Sequence, residues 1–194
     1  MPSQLVLVRH GETEWTITGQ HTGRTDIPLT SNGREEARRV GSLLVGRTFA
    51  WVLSSPLTRA LETCRLAGMG EAVETTGDLM EWDYGQYEGL TTAEIRKGNP
   101  RWSLWLDGAP GGETASDVAV RVDTVIKEAR EQDGDVLVFA HGHVLRVLAA
   151  RWLGLSPSEG RLFALHPAAV CTLGYERETA VLVHWNVSLR KAGS

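Results

Sequence analysis

The sequence predicts an α/β fold with a mostly parallel central sheet, and three observations predict it. Leu5-Val6-Leu7-Val8 is an apolar run too short for a helix, and it reads as a strand buried on both faces. Val136-Leu137-Val138-Phe139-Ala140 repeats that pattern late in the chain. Segments with apolar residues at helical spacing lie between and after these runs, as a parallel sheet requires of its crossovers.

In order, the first strand ends in Arg9-His10-Gly11 and is followed by a polar, Gly-containing loop over 16–29. Thr30 caps a helix to about Leu44, with Ala37, Val40 and Leu44 on its inner face. A second strand over 50–53 leads into Ser54-Ser55-Pro56, read as a helix start with Pro in the first turn and Arg59 close behind. A third strand falls over 72–76, and 79–89 is a loop rich in aromatics and carboxylates. One short helix and a Pro/Gly-punctuated excursion fill 91–112, with packing roles expected for Trp102 and Trp105. The segment 79–113 is assigned as a lid or cap. The clearest amphipathic helix spans about 116–131, with Val118, Val122, Val125, Ile126 and Ala129 inside. After the strand over 135–140 comes His141-Gly142-His143 and a helix that buries Val144, Leu145, Leu148 and Ala149. Stretches 168–175 and 180–185 are closing strands, and 188–194 is a frayed tail.

The 194 residues form one domain, 1–194, without repeat or linker. A net charge of −4 argues against nonspecific binding to nucleic acid or anionic membrane, so an anionic ligand must be held by a local cluster. Cys64 and Cys171 are far apart and read as reduced, with no disulfide and no metal motif. No apolar run is long enough to cross a membrane, and no cleavable leader precedes the first strand, which predicts a cytoplasmic protein. His166 and His184, in apolar or strand-like settings, read as structural.

Functional residues of a parallel sheet gather at the carboxyl ends of its strands. Two strands here end in His-Gly and a third is followed by an arginine, so His10, His141, Arg9 and Arg59 converge beside the helix start at Gly142. Arginine forks match phosphoryl oxygens, the free N–H groups of a helix start attract an anion, and a neutral imidazole can attack phosphorus. Glu81 is the candidate proton donor for a leaving alkoxide. This set needs no metal and no cofactor.

These residues resemble the histidine phosphatase superfamily, which includes the cofactor-dependent phosphoglycerate mutases. The likeness lies in Arg9-His10-Gly11-Glu12-Thr13 with Trp15, Thr22-Gly23, Leu29-Thr30, Ser54-Ser55-Pro56 with Arg59 and Ala60, Glu81 with Tyr84-Gly85 and Glu88-Gly89, and Ala140-His141-Gly142. It implies a three-layer α/β/α sandwich of the phosphoglycerate mutase-like type and a site without metal. It also implies that His10 becomes a phosphohistidine, that Glu81 donates the proton, and that Arg9, Arg59 and His141 hold the phosphoryl group. Relatives are often dimers, which makes a homodimer the expected assembly.

Departures from the mutase pattern point to the phosphatase branch. Thr92 stands where mutases carry a lysine, Thr16 and His143 stand where they carry Asn, and no carboxylate-gripping arginine pair occurs between Gly89 and Glu113. The mutase insert and tail are also missing from the pattern. Gln20-His21-Thr22-Gly23-Arg24, Glu81-Trp82-Asp83-Tyr84-Gly85 and Phe139-Ala140-His141-Gly142-His143 are similar to acid-phosphatase and sugar-bisphosphatase members. The expected activity is hydrolysis of small phosphomonoesters such as sugar phosphates or bisphosphates. A phosphoglycerate mutase is the alternative, and a noncatalytic phospholigand-binding module the second. Candidates for the substrate-binding wall are Thr16, Gln20, His21, Thr22, Gly23, Arg24, Tyr84, Tyr87, Gly142 and His143, with His21 and Arg24 proposed for a second phosphate. The resemblance, and the need for a protonated Glu81, imply an acidic pH optimum.

Overall fold

The computed structural model describes residues 4–189; the predicted tail from residue 190 on lies outside them. In chain order the elements are β1 Leu5–Arg9, α1 Glu14–Thr18, α2 Ser31–Leu44, β2 Trp51–Ser54, α3 Thr58–Leu66, β3 Val73–Thr75, α4 Thr92–Gly98, α5 Leu104–Asp107, α6 Ala115–Arg130, β4 Val136–Ala140, α7 Gly142–Trp152, β5 Val170–Glu176 and β6 Thr179–Val187. The strands make one six-stranded sheet in the order β3-β2-β4-β1-β5-β6. Its first four strands are parallel, and β5 and β6 add an antiparallel flank.

Alternation along the central strands produces the layers. Val6 and Val8 of β1 and Leu137 and Phe139 of β4 pack with Val40 and Leu44 of α2 and Cys64 of α3. Leu5, Leu7, Val136 and Val138 face the other way, onto Val118, Val122 and Val125 of α6 and Val144, Leu145 and Leu148 of α7. Both faces of the sheet are therefore covered, which is why β1 and β4 read as continuous apolar runs. Each fully buried Val or Leu contributes about 1.5–3 kcal/mol, so this three-layer sandwich holds the strand ends rigidly.

Helix starts follow their caps. Thr30 accepts from the Gly33 N–H at the head of α2, and Thr114 forms a capping box with Asp117 at the head of α6. Three local expectations are corrected. Residues 14–18, expected to run into the loop, form α1, because Thr13 and Thr16 cap it reciprocally. Pro56 precedes α3, whose first helical residue is Thr58, so Arg59 but not Pro56 lies in the first turn. The excursion after α4 contains the short helix α5, which carries Trp105. His184 lies on β6, and the exposed His166 ring bonds to Asn186 across 2.9 Å, both in structural settings as expected. Cys64 and Cys171 are buried free thiols, and burial pushes both up to about 12. Among the described residues, no helix is long and apolar enough to cross a membrane.

Candidate active site

Three neighbouring strands deliver the central residues. The ladder continues past them: the His10 N–H donates to Ala140 O at 3.0 Å, the Ser55 N–H to Phe139 O at 2.9 Å, and the Ala168 N–H to His10 O at 3.0 Å. His10 is thus fixed by backbone on both sides. Its Nδ1 lies 2.7 Å from Gly11 O. A carbonyl only accepts, so Nδ1 carries the proton and Nε2 keeps its lone pair. Nε2 has no partner among the described residues and opens into the cavity that His10 lines. Burial, then Arg59 and Arg9, hold the imidazole well below its ordinary pKa of 6.5, which keeps it neutral and nucleophilic. Position 11 must be glycine, because a Cβ there would sit 2.4 Å from Gly33 O of α2. Thr63 of α3 accepts from the Gly11 N–H at 3.1 Å and fixes the same peptide.

His141, the N-cap of α7, is fully buried with its ring centroid 5.1 Å from that of His10. Arg59 Nε donates to its Nδ1 at 3.1 Å, so the ring proton is on Nε2, which donates to Ser55 Oγ at 2.7 Å. Burial, then Arg59, keeps this imidazole neutral as well. Arg59 is completely buried, and its other donors go to Thr25 O at 2.9 Å, Thr22 O at 3.2 Å and Gly23 O at 2.9 Å. Four of its five N–H groups are therefore committed to protein.

Arg9 is disposed otherwise. Nη1 donates to Leu165 O at 2.5 Å, while the buried Nε has no partner among the described residues. Burial lowers its pKa from the ordinary arginine value, and nearby Glu81 opposes that shift. The guanidinium lies against Gly142, where a Cβ would come within 3.2 Å of the guanidinium carbon. A buried N–H donor with nothing to bond is costly unless a ligand supplies an acceptor.

Glu81 takes the place the sequence reserved for an external anion. The start of α7 is occupied: Oε2 accepts from the His143 N–H at 3.0 Å, and Oε1 from Val144 N–H and Trp82 N–H, both at 2.9 Å. The loop behind Glu81 is tied to α6. Arg121 grips Glu113 with Nε and Nη2, and its Nη1 donates to Asp78 O and Met80 O. Glu113 in turn accepts from the Asp83 N–H at 2.8 Å.

The cavity has a volume of about 190 Å³ and is lined by Arg9, His10, Trp15, Thr16, Gly19, Gln20, His21, Thr22, Glu81, Tyr84, Gly142, His143, Arg146 and Leu165. That volume lies below the usual range for drug-sized ligands and suits a small metabolite. Larger hollows of about 560, 590 and 230 Å³ lie elsewhere and lack His10, His141 and Glu81. The model of the histidine phosphatase superfamily (branch 1) matches residues 5–188 of the chain. The chain belongs to the histidine phosphatase superfamily. An acid phosphatase of Mycobacterium tuberculosis is 43% identical over 186 residues, covering 92% of this chain and 91% of the relative. The sedoheptulose 1,7-bisphosphatase of Saccharomyces cerevisiae is 35% identical over 191 residues, covering 80% and 70%. Phosphoglycerate mutases also match, one from Gloeobacter violaceus at 38% identity over 171 residues, with 80% and 78% covered. The solved structure of an open reading frame product of Mycobacterium tuberculosis superposes with a TM-score of 0.92 at 39% identity, covering 97% and 99%. This histidine phosphatase is accordingly a phosphoric monoester hydrolase.

Of the residues singled out in the sequence, Arg9, His10, Thr16, Gln20, His21, Thr22, Glu81, Tyr84, Gly142 and His143 line the phosphatase cavity. Arg59 and His141 stand directly behind it. Gly23, Arg24 and Tyr87 do not line it. Gly23 packs under Glu88 and Trp82, with its N–H donating to Glu88 Oε1 at 2.9 Å. Arg24 lies 3.7 Å from Asp83 and 3.8 Å from Glu113, and Tyr87 stacks edge-on to Trp102 at 5.2 Å. Arg24 thus faces Asp83 and Glu113 rather than the cavity lining.

Arg146 was missed. It lies one turn beyond Gly142 on α7, lines the cavity, and sits 4.5 Å over the Trp105 ring while Nε donates to Gly160 O at 3.0 Å. The i+3 and i+4 spacing from His143 and Gly142 was the signal available for it. Trp102 is buried as expected, whereas Trp105 is half-buried with its ring 5.3 Å from His143.

Proposed function

We propose that this phosphatase hydrolyses small phosphomonoesters, sugar phosphates or bisphosphates, through a phosphohistidine on His10. The observation that carries the reading is the His10 imidazole: neutral, with Nδ1–H held by Gly11 O and Nε2 open to a cavity shared with Arg9 and Glu81. Nε2 attacks phosphorus; the P–N bond forms as the P–O ester bond breaks, and the leaving alkoxide takes a proton from Glu81. Water, giving its proton back to Glu81, then attacks the phosphohistidine, releasing inorganic phosphate and restoring His10. The unpartnered Arg9 Nε–H supports a role on an equatorial phosphoryl oxygen. Arg59 acts mainly by fixing His141 and the 22–25 loop, since most of its donors are committed.

Arg146, with Nη1 uncommitted among the described residues, takes a second-anion role on the outer wall. The relative that acts on a sugar bisphosphate, by its name, supports that substrate class. The segment 79–113 serves as the lid, supported by the bridge between Gln20 and Thr91 and by Trp102 packed on His21 at 5.6 Å. We set its action in the cytoplasm, as a homodimer, on small molecules, with an acidic optimum.

The test is phosphate release from a panel of sugar bisphosphates, sugar monophosphates and 3-phosphoglycerate, in the presence of chelator, by wild type and His10→Ala. Release by wild type alone supports the reading. Conversion of 3-phosphoglycerate to its 2-isomer after priming, without net release, would replace it with the mutase.

A further inference from the structure

His143 is tied into the site by more than its backbone. Its Nδ1 lies 2.7 Å from the Tyr84 hydroxyl. Tyr84 is 1% exposed, and His143 Nδ1 is the single hydrogen-bond partner of its hydroxyl among the described residues. A buried O–H finds an acceptor if one is within reach, and the only one here is Nδ1. Tyr84 therefore donates, Nδ1 accepts, and the ring proton of His143 is on Nε2. That atom has no partner among the described residues and is not sealed off, and the ring lines the cavity. Arg146, one turn along α7, lines the same part of the cavity, and Trp105 touches both side chains.

We propose that Tyr84 fixes the tautomer of His143, so that its Nε2–H is a permanent donor which, with Arg146, selects substrates carrying a second anionic group remote from the scissile phosphate. This specificity role rests on the phosphatase reading above and assigns the pair the distal oxygen rather than the chemistry. The groups facing the ring are Tyr84 at 2.7 Å, Glu81 Oε2 at 3.9 Å, His21 at 6.2 Å between centroids, Arg146 and Arg9. Burial, then Arg146, holds the imidazole well below 6.5, while burial holds the Tyr84 phenol well above 10. The donor is thus neutral and constant across the working pH range. Glu81 Oε2 is beyond hydrogen-bond distance of Nδ1, so it does not compete with Tyr84 for that atom.

The experiment measures kcat and KM for a sugar bisphosphate and for the matching monophosphate from pH 5 to 8, in wild type, Tyr84→Phe and His143→Asn. Thermal melting checks that each variant is folded. The expected result is that both variants lose about tenfold more in kcat/KM on the bisphosphate than on the monophosphate, with the extra loss in KM. Burial and Arg146, not Tyr84, keep the ring neutral, so the extra loss in Tyr84→Phe is expected to be the same from pH 5 to 8. Equal losses on the two substrates, or an unchanged preference, would overturn the proposal while leaving the phosphatase reading intact. Wild type that releases phosphate from neither substrate would overturn both.

Discussion

The cavity has an inner and an outer wall built by different means, and its two arginines show the difference. Arg59 belongs to the frame of the inner wall: completely buried, it holds His141 and three loop carbonyls. Arg9 stands at a strand end with one bond to Leu165 O and an idle Nε. The first is a strut and the second a waiting ligand. In the outer wall, Tyr84, His143 and Arg146 are positioned by side chains and by carbonyls from remote loops. Rigidity behind the nucleophile comes from the sheet ladder, whereas selectivity is mounted on parts that diverge at little cost to the fold.

Substitutions that exchange these roles test the contrast. Arg59→Leu strands three carbonyls and the His141 Nδ1, and should cost about 3–5 kcal/mol of stability, read as a large drop in urea midpoint. Arg9→Leu removes a buried donor that has little to hold in the free enzyme. It should leave the urea midpoint near that of wild type while kcat/KM falls about 10²–10³-fold. A large stability loss from Arg9→Leu with activity retained would reverse the assignment.

The buried imidazoles extend the test to pH. His10, His141 and His143 are held neutral in the fold by burial and neighbouring cations, but titrate near 6.5 when unfolded. Below pH 6.5 the unfolded chain binds more protons, so stability must fall on acidification. Each imidazole that stays neutral contributes about 1.4 kcal/mol of loss by pH 5.5, and a thermal melt compared between pH 7.5 and 5.5 reads the sum. Equal melting temperatures would contradict the neutral assignment. Neutrality also means that His10 itself imposes no loss of activity as pH falls through 6.5. The smallest effect belongs to Arg24→Ala, which breaks only long, half-exposed ion pairs to Asp83 and Glu113. Its kinetics should stay within about twofold of wild type, and its stability within about 1 kcal/mol.

The inner wall was legible in the sequence because its signal is local. An apolar run sets the strand, and the residues immediately after it must emerge at its carboxyl end, so Arg9, His10 and His141 could be placed from β1 and β4 alone. The helix start at Gly142 was also legible as an anion site, but not its occupant. Glu81 reaches it only because Arg121 and Glu113, far along the chain, fasten the loop that carries it. The outer wall was read less well for the same reason. Arg24 sits in a polar loop beside residues that do line the cavity, and only the fold reveals that it turns to Asp83 and Glu113. Arg146 sits on a predicted helix, yet its place depends on Trp105 below it and on carbonyls at 160 and 161. Such tertiary anchors leave no periodic trace.

The decisive species is a phosphoryl group carried by His10 Nε2. Wild type mixed rapidly with a sugar bisphosphate and quenched in alkali, which preserves a P–N bond, should yield one phosphoryl group on the peptide containing His10, seen by mass spectrometry and absent from His10→Ala. Label on any other residue, or a His10→Ala protein that still turns over, would contradict it.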